Sequence, residues 1–355
     1  MKKSEYAKAG VDIDLGNRVK KTLPELLAAT HRPEVLGKVG GFGGLFLLNT
    51  KKYQKPVLAA STDGVGTKLK IAFALGRHDT VGQDLVNHCV NDIAVLGAEP
   101  IFFLDYIAMG KLEPHVFGEI MIGFSKACAE NHCALIGGET AQMPGFYQPG
   151  EYDMNGTIVG VVEKSQILNG QKSVKHGDAI IGIASNGLHT NGYSLARKIF
   201  FEQMMMSPRE SMSGLDGSIG DELMKIHVNY GPLIRKLLKR FNRETPKPIK
   251  AFAHITGGGF MDNIPRILPP LRCAVIYKSR WKVPPIFQII REMGKIKEAE
   301  LFKVFNMGIG MVAIVQASEV RSILQFIARQ GHVAWEIGDI MSNQDANEVQ
   351  VQIFD

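Results

Sequence analysis

Glycine, and where it stands, constrains this chain more than any other feature. The 355 residues include 38 glycines, about 11% against the roughly 7% of ordinary proteins. They are not spread out as in a flexible linker. They gather at positions 40–44, 64–66, 137–138, 187–192 and 257–259, between apolar runs. A residue without a Cβ is used where backbone must take positive φ or come close to a ligand. Acidic residues or histidines accompany most of these clusters. That combination points to an enzyme that handles ATP and a phosphorylated small molecule through its loops.

The chain is long for one domain, so two compact domains are expected, with a boundary in the polar stretch 163–178. The domains are placed at 1–168 and 169–355. In the first, helices are expected over 17–29, 82–96 and 114–131, and strands over 56–61, 101–108, 133–136 and 156–162. The 82–96 helix carries Leu85, Val86, Cys89, Val90, Ile93 and Ala94 on one stripe. In the second, strands are expected over 179–184, 274–277 and 310–315, and helices over 193–201, 232–241 and 320–330. Strands and helices mix without strict βαβ alternation, so both halves read as α+β.

The balance of residues, 45% apolar and 21% charged, is that of an ordinary globular protein. No apolar run approaches the roughly 18–20 residues of a membrane helix, and the N-terminus is polar with no apolar signal core. A cytoplasmic protein with no membrane partner is expected. The four cysteines include no Cys-x-x-Cys pair and read as reduced thiols. The net charge of +6 is dispersed. Its densest run, 235–243, lies on an amphipathic helix pattern with a solvated basic face, which argues against a nucleic-acid partner.

The most informative motif is Thr62-Asp63-Gly64-Val65-Gly66-Thr67-Lys68, directly after a strand. Asp63 offers a hard oxygen suited to Mg²⁺, and Lys68 a compact charge suited to phosphate. A tight turn would explain the Asp and Gly but not the Thr-Lys that follows. The phosphate loop Gly-x-x-x-x-Gly-Lys-[Ser/Thr] is absent from the chain. Asn91 and Asp92 interrupt an apolar helix, and Glu139 follows Gly137-Gly138 after another strand. Asp63, Asp92 and Glu139 together suit one or two Mg²⁺ ions against a polyphosphate. Gly40-Gly41-Phe42-Gly43-Gly44 suits a backbone anion nest or a mobile lid. Residues 185–194, with His189, Thr190 and Asn191, and residues 254–259, His254-Ile255-Thr256-Gly257-Gly258-Gly259, form two further ligand loops. The two histidines stand inside glycine-rich turns and titrate near neutrality.

In order and spacing these segments resemble the phosphoribosylformylglycinamidine cyclo-ligase family, also called aminoimidazole ribonucleotide synthetases. The resemblance runs from Tyr6-Ala7-Lys8-Ala9-Gly10-Val11-Asp12-Ile13 to the C-terminal strands. It includes Cys89-Val90-Asn91-Asp92, Gly97-Ala98-Glu99-Pro100, Phe102-Phe103-Leu104-Asp105-Tyr106 and residues 137–145, 189–195, 254–266 and 305–311. It implies ATP-dependent closure of formylglycinamidine ribonucleotide to 5-aminoimidazole ribonucleotide, ADP and phosphate, in a homodimer that shares a sheet between N-terminal domains. Carried onto this chain, it implies Mg²⁺ on Asp63, Asp92 and Glu139. ATP contacts fall to Gly64, Thr67, Lys68, Asn91 and Asp92, and a mobile loop to Gly41 and Gly43. Substrate contacts fall to His189, Asn191, Thr256, Gly257, Gly258 and Gly259, with His254, His189 and Lys68 as the catalytic candidates. Gln142, Met261 and Met307 depart from the family pattern, and Met307 excludes a thiol at its position. The same scaffold serves thiamine-monophosphate kinase, selenophosphate synthetase and a hydrogenase-maturation dehydratase. The second of these would need a reactive Cys near the N-terminus, and the first Cys here is Cys89.

Overall fold

The computed structural model describes residues 4–21, 23–37, 41–345 and 347–355. Gly40, expected to belong to a mobile loop, lies outside them. Contacts divide the chain into two units, one made of residues up to Ile93 with Ala98–Ser165, the other of Ala94–Gly97 with Gln166–Asp355. Among the described residues no helix is long and apolar enough to cross a membrane.

The first unit opens with short helices α1 (Glu5–Lys8), α2 (Ile13–Lys20) and α3 (Leu23–Ala28) and a small hairpin, β1 (Val35–Leu36) with β2 (Leu45–Phe46). Over the span where a single helix, 17–29, is expected, α2 ends at Lys20 and α3 begins at Leu23. Asp12 caps α2 by accepting from the Leu15 N–H at 2.8 Å. The main sheet has the order β3-β6-β4-β5. Its strands are β3 (Pro56–Gly64), β4 (Glu99–Met109), β5 (Ala134–Gln142) and β6 (Tyr152–Glu163). All neighbours are antiparallel except β4 with β5. Between β3 and β4 run α4 (Leu69–Leu75) and α5 (Val81–Ala94); α6 (Pro114–Glu130) joins β4 to β5. Helices α5 and α6 pack backbone to backbone, since a Cβ on Gly82 would lie 2.5 Å from the Ile120 carbonyl oxygen.

Strand β5 is longer than its sequence suggests. Gly137 and Gly138 continue it instead of turning, because a Cβ on Gly138 would fall 2.1 Å from Asp105 Oδ1. Glycine in a strand interior often marks such a close approach.

The second unit is a six-stranded sheet of order β12-β9-β11-β7-β10-β8, built from β7 (Ala179–Ala184), β8 (Ile249–His254), β9 (Arg272–Tyr277), β10 (Ile309–Val315), β11 (Ala334–Ser342) and β12 (Val351–Phe354). Four of its helices matter here: α7 (Tyr193–Arg197), α8 (Gly231–Phe241), α9 (Gly259–Asn263) and α10 (Val320–Arg329). The basic run 235–243 is α8 and its C-terminal end. Leu233, Ile234 and Leu237 of α8 and Ile323 and Ile327 of α10 pack with Ile181, Ile183, Phe252 and Met311 of the sheet. Each unit is a mixture of sheet and helix, the α+β class expected.

Candidate functional site

In the first unit the site is built on α5. An amphipathic helix buries one stripe, but α5 is buried nearly all round from Val81 to Asn91. Asp84, His88 and Asp92 recur every fourth residue and so stand above one another. A buried polar stripe is costly unless its groups are paired, and here each has a partner. Both Asp84 oxygens hold the Lys68 ammonium, at 2.9 Å (Oδ1) and 2.8 Å (Oδ2), with neither side chain exposed. His88 Nε2 lies 3.6 Å from an Asp63 oxygen and 3.9 Å from an Asp92 oxygen. Burial pushes the His88 ring below its ordinary pKa, against the pull of Asp92. The site thus favours the neutral form of the His88 ring. The Ser61 hydroxyl donates to Asp92 Oδ2 at 3.1 Å and aims it.

Strand register brings a further acid to the same sheet face. Asp63 of β3 and Asp105 of β4 both partner Gly156 of β6, and Asp105 also partners Gly138 of β5. Burial pushes the Asp105 carboxyl up to about 7, and the charge of Glu139 adds to the rise. Gly156 is a glycine because Phe103 fills the space its Cβ would need, 2.1 Å away.

In the second unit the loop after β7 meets the end of β8. His189, at φ 63°, is nearly fully buried. Its carbonyl accepts from the Tyr193 hydroxyl at 3.0 Å, and its ring stacks on His227 at 4.1 Å. His227 Nε2 lies 3.0 Å from His254 Nε2, and His227 Nδ1 lies 3.2 Å from Thr190 Oγ1. Gly310 of β10 makes room, since a Cβ there would meet the Tyr230 hydroxyl at 2.2 Å and His189 Cε1 at 2.5 Å. Asn191 approaches the triple glycine, its Oδ1 3.3 Å from where a Gly257 Cβ would be. The Asn263 amide donates to the carbonyls of Thr256, Gly257 and Gly259 and fixes the shape of that turn. Gly258 and Gly259 both have positive φ. Residues 189, 191, 254 and 256–259, singled out separately in the sequence, thus belong to one neighbourhood.

Two expectations need correction. Lys68 is enclosed and held on Asp84, so its ammonium is not placed to meet a phosphate; burial also lowers its pKa, against the pull of Asp84. Asp63, Asp92 and Glu139 do not form one three-ligand group. Glu139 is one residue beyond Gly138 and partners Tyr106, so strand alternation turns it to the sheet face opposite Asp63 and Asp105. Of the other expected nucleotide contacts, Gly64 ends β3 and is exposed, Thr67 is exposed in the turn before α4, and Asn91 is buried within α5. Gly41 and Gly43 are exposed.

Most of the chain matches family models in two blocks. Residues 50–162 match the AIR synthase related protein N-terminal domain and residues 175–349 its C-terminal domain. The phosphoribosylformylglycinamidine cyclo-ligase of Syntrophotalea carbinolica is 49% identical over 99% of both chains. That of Geotalea daltonii is 52% identical over 94% of each. This chain belongs to the phosphoribosylformylglycinamidine cyclo-ligase family. Other members of the wider fold look alike in structure with little sequence in common. A thiamine-monophosphate kinase from Stenotrophomonas maltophilia superposes with a TM-score of 0.68 at 15% identity, covering 93% of this chain and 94% of its own. A hydrogenase maturation protein HypE solved in complex with ATP gives 0.65 at 16%, covering 95% and 90%.

Sequence reasoning assigns no role to Asp84, His88 or His227, which the structure sets against Lys68, Asp63 and His254, and it names Asp105 and Thr190 only within longer segments. The spacing of Asp84, His88 and Asp92 carried a signal for the first two. His227 carried none, since it lies in an irregular stretch with no glycine beside it.

Proposed function

We propose that this chain closes the ring of formylglycinamidine ribonucleotide at the expense of ATP, giving 5-aminoimidazole ribonucleotide, ADP and phosphate in purine biosynthesis. The observation that carries this reading is identity of about half the residues along essentially the whole chain with proteins of that name. The chemistry needs a better leaving group than an amide oxygen. Transfer of the γ-phosphoryl group to the formamide oxygen supplies it. The amidine nitrogen then attacks the formyl carbon, the C–O bond to phosphate breaks, and the ring nitrogen gives up a proton.

Asp63 and Asp92 are the Mg²⁺ ligands in this reading. Two carboxylates flanking a neutral imidazole are a donor set that fits an ion bound by few carboxylates plus substrate phosphates, and Mg²⁺ there would neutralise polyphosphate charge. Gly64 and Thr67 take the phosphates, and Gly41 and Gly43 bring backbone over the nucleotide. His189, Asn191 and residues 256–259 hold the ribonucleotide. His254 takes the proton. The protein works as a cytoplasmic homodimer; the dimer is supported by Leu58 and Tyr106, exposed on the outer face of the first unit's sheet, where a second copy would cover them.

The test is ADP release with formylglycinamidine ribonucleotide as the only added acceptor, read together with product mass. ADP and aminoimidazole ribonucleotide appear in equal amounts if the reading holds. ADP release independent of that acceptor removes it.

A further inference from the structure

In the second unit the loop 187–192 carries His189 and Asn191, and another segment, 305–308, holds it at both ends. At the far end Gly192 has no room for a Cβ, which would lie 2.2 Å from Cε1 of the buried Phe305 ring. At the near end stands Asn306, buried and with both ends of its amide in use. Its Nδ2 donates to the Gly187 carbonyl at 2.9 Å, and its Oδ1 accepts from the Gly308 N–H at 2.9 Å. The Ser185 hydroxyl lies 2.9 Å from Asn306 Oδ1 and 3.0 Å from the Gly187 carbonyl oxygen, with one proton to share between them. The Ser185 N–H donates to the Gly308 carbonyl at 2.8 Å. The 305–308 turn is itself fixed by the Trp281 Nε1–H, which donates to the Met307 carbonyl at 3.0 Å. It leads directly into β10, where Ile309 pairs with Ala184 of β7.

We propose that Asn306 is a positioning residue for the ribonucleotide: by fastening Gly187 to the start of β10 it holds His189 and Asn191 in their binding geometry. The proposal rests on the assignment of residues 189 and 191 to that substrate. Backbone decides which way round the Asn306 amide lies. The Gly308 N–H can only donate, so oxygen faces it, and the Gly187 carbonyl can only accept, so the NH₂ group faces it. Aspartate has the same shape and no donor, and would set a carboxylate oxygen against the Gly187 carbonyl. A buried polar network with every member paired makes its surroundings rigid, and a loop already ordered loses less freedom when a ligand binds. Loosening the loop therefore weakens binding of ground state and transition state alike, which raises KM and leaves kcat in place.

Two measurements on the full-length protein test this. The first needs no ligand. In Asn306→Asp, hydrogen exchange over residues 185–192, read by mass spectrometry, should be at least about tenfold faster than in wild type, while exchange in β9 and β11 stays within about twofold. Ser185→Ala, which keeps both backbone bonds of Asn306, should show a smaller change of the same sign. Exchange over 185–192 equal to wild type in both variants, or raised by the same factor in β9 and β11, overturns the proposal. The second is steady-state kinetics. Asn306→Asp should raise KM for the ribonucleotide at least about tenfold, the effect of leaving a buried carbonyl without its donor. KM for ATP and kcat should stay within about twofold. An equal rise in KM for ATP marks general loosening and overturns the proposal. An unchanged ribonucleotide KM beside faster exchange over 185–192 overturns it too, and Asn191→Ala then locates the failure. A wild-type KM in Asn191→Ala removes the loop from ribonucleotide binding, whereas a raised KM keeps the loop there and removes Asn306 as the residue that positions it.

Discussion

Lys68 and Asp84 are a fully enclosed ion pair at the point where β3 turns into α4. Taking one partner away leaves a buried charge uncompensated, which costs about 3–5 kcal/mol. Lys68→Met should therefore lower the urea midpoint sharply, and Lys68→Met with Asp84→Leu should regain much of the loss. If the double variant is as unstable as the single, the pair is not what holds this corner. Asp105 makes a prediction of the opposite kind. Its carboxyl is pushed up to about 7 from an ordinary 3.8, so the folded protein keeps a proton that the unfolded chain has already lost. Stability contributed by this group is present at low pH and falls as pH rises from about 4 to about 7. Asp105→Asn, which imitates the protonated acid, should raise the stability of metal-free protein at pH 8. Near pH 4 it should change little. Urea midpoints in chelator across that range decide it, and a gain that is independent of pH would show that the charge of Asp105 is not the cause.

Helix α5 shows how far a sequence can be read. Its apolar stripe of Leu85, Cys89 and Ile93 is legible by spacing alone. The burial of the opposite stripe is not, because it depends on what α4 and β3 bring to that side. Asp92 is recognisable as an acid in an apolar helix, yet Asp84 and His88 gain meaning only when Lys68 and Asp63 arrive from β3 and the turn after it. The glycines show the same limit. Gly257, Gly258 and Gly259 read correctly as a turn, since two of them take positive φ. Gly137 and Gly138 read as a turn and are a strand, for a reason that lies on Asp105, a residue on another strand. Gly82 is hidden entirely: it reads as an ordinary helix position, although it is where α5 meets α6. Gly82→Ala places a methyl 2.5 Å from the Ile120 carbonyl oxygen and 2.6 Å from the Phe124 nitrogen, and neither backbone can move without its helix. Overpacking of this kind costs typically 1–3 kcal/mol. We expect a lower melting temperature and a fall in turnover, since α5 carries His88 and Asp92. A melt equal to wild type would mean that the helices part freely.

At the scale of the molecule, the first unit has a sheet with one face covered by α5 and α6 and another whose composition is wrong for water. An antiparallel sheet exposed on one side normally alternates apolar inward with polar outward. Here the outer positions not fully buried include Leu58, Phe102, Leu104, Tyr106 and Val159. Leu58 is 60% exposed and Tyr106 37%. A homodimer that covers this face accounts for the pattern, and a stable one buries about 1,600 Å² in total. Leu58→Asp puts a charge into the middle of the proposed contact and should raise the dimer dissociation constant at least about tenfold, as read by sedimentation equilibrium. Glu139 lies on the same outer face, so the proposal has a catalytic corollary. If Glu139 acts in turnover, it acts from within the dimer contact, and activity per protomer should fall on dilution through the dissociation constant. Leu58→Asp should move that fall to higher protein concentration. A wild type that sediments as a monomer at micromolar concentration would remove the dimer. Activity per protomer that stays constant through dissociation would leave the dimer standing and remove Glu139 from the reaction.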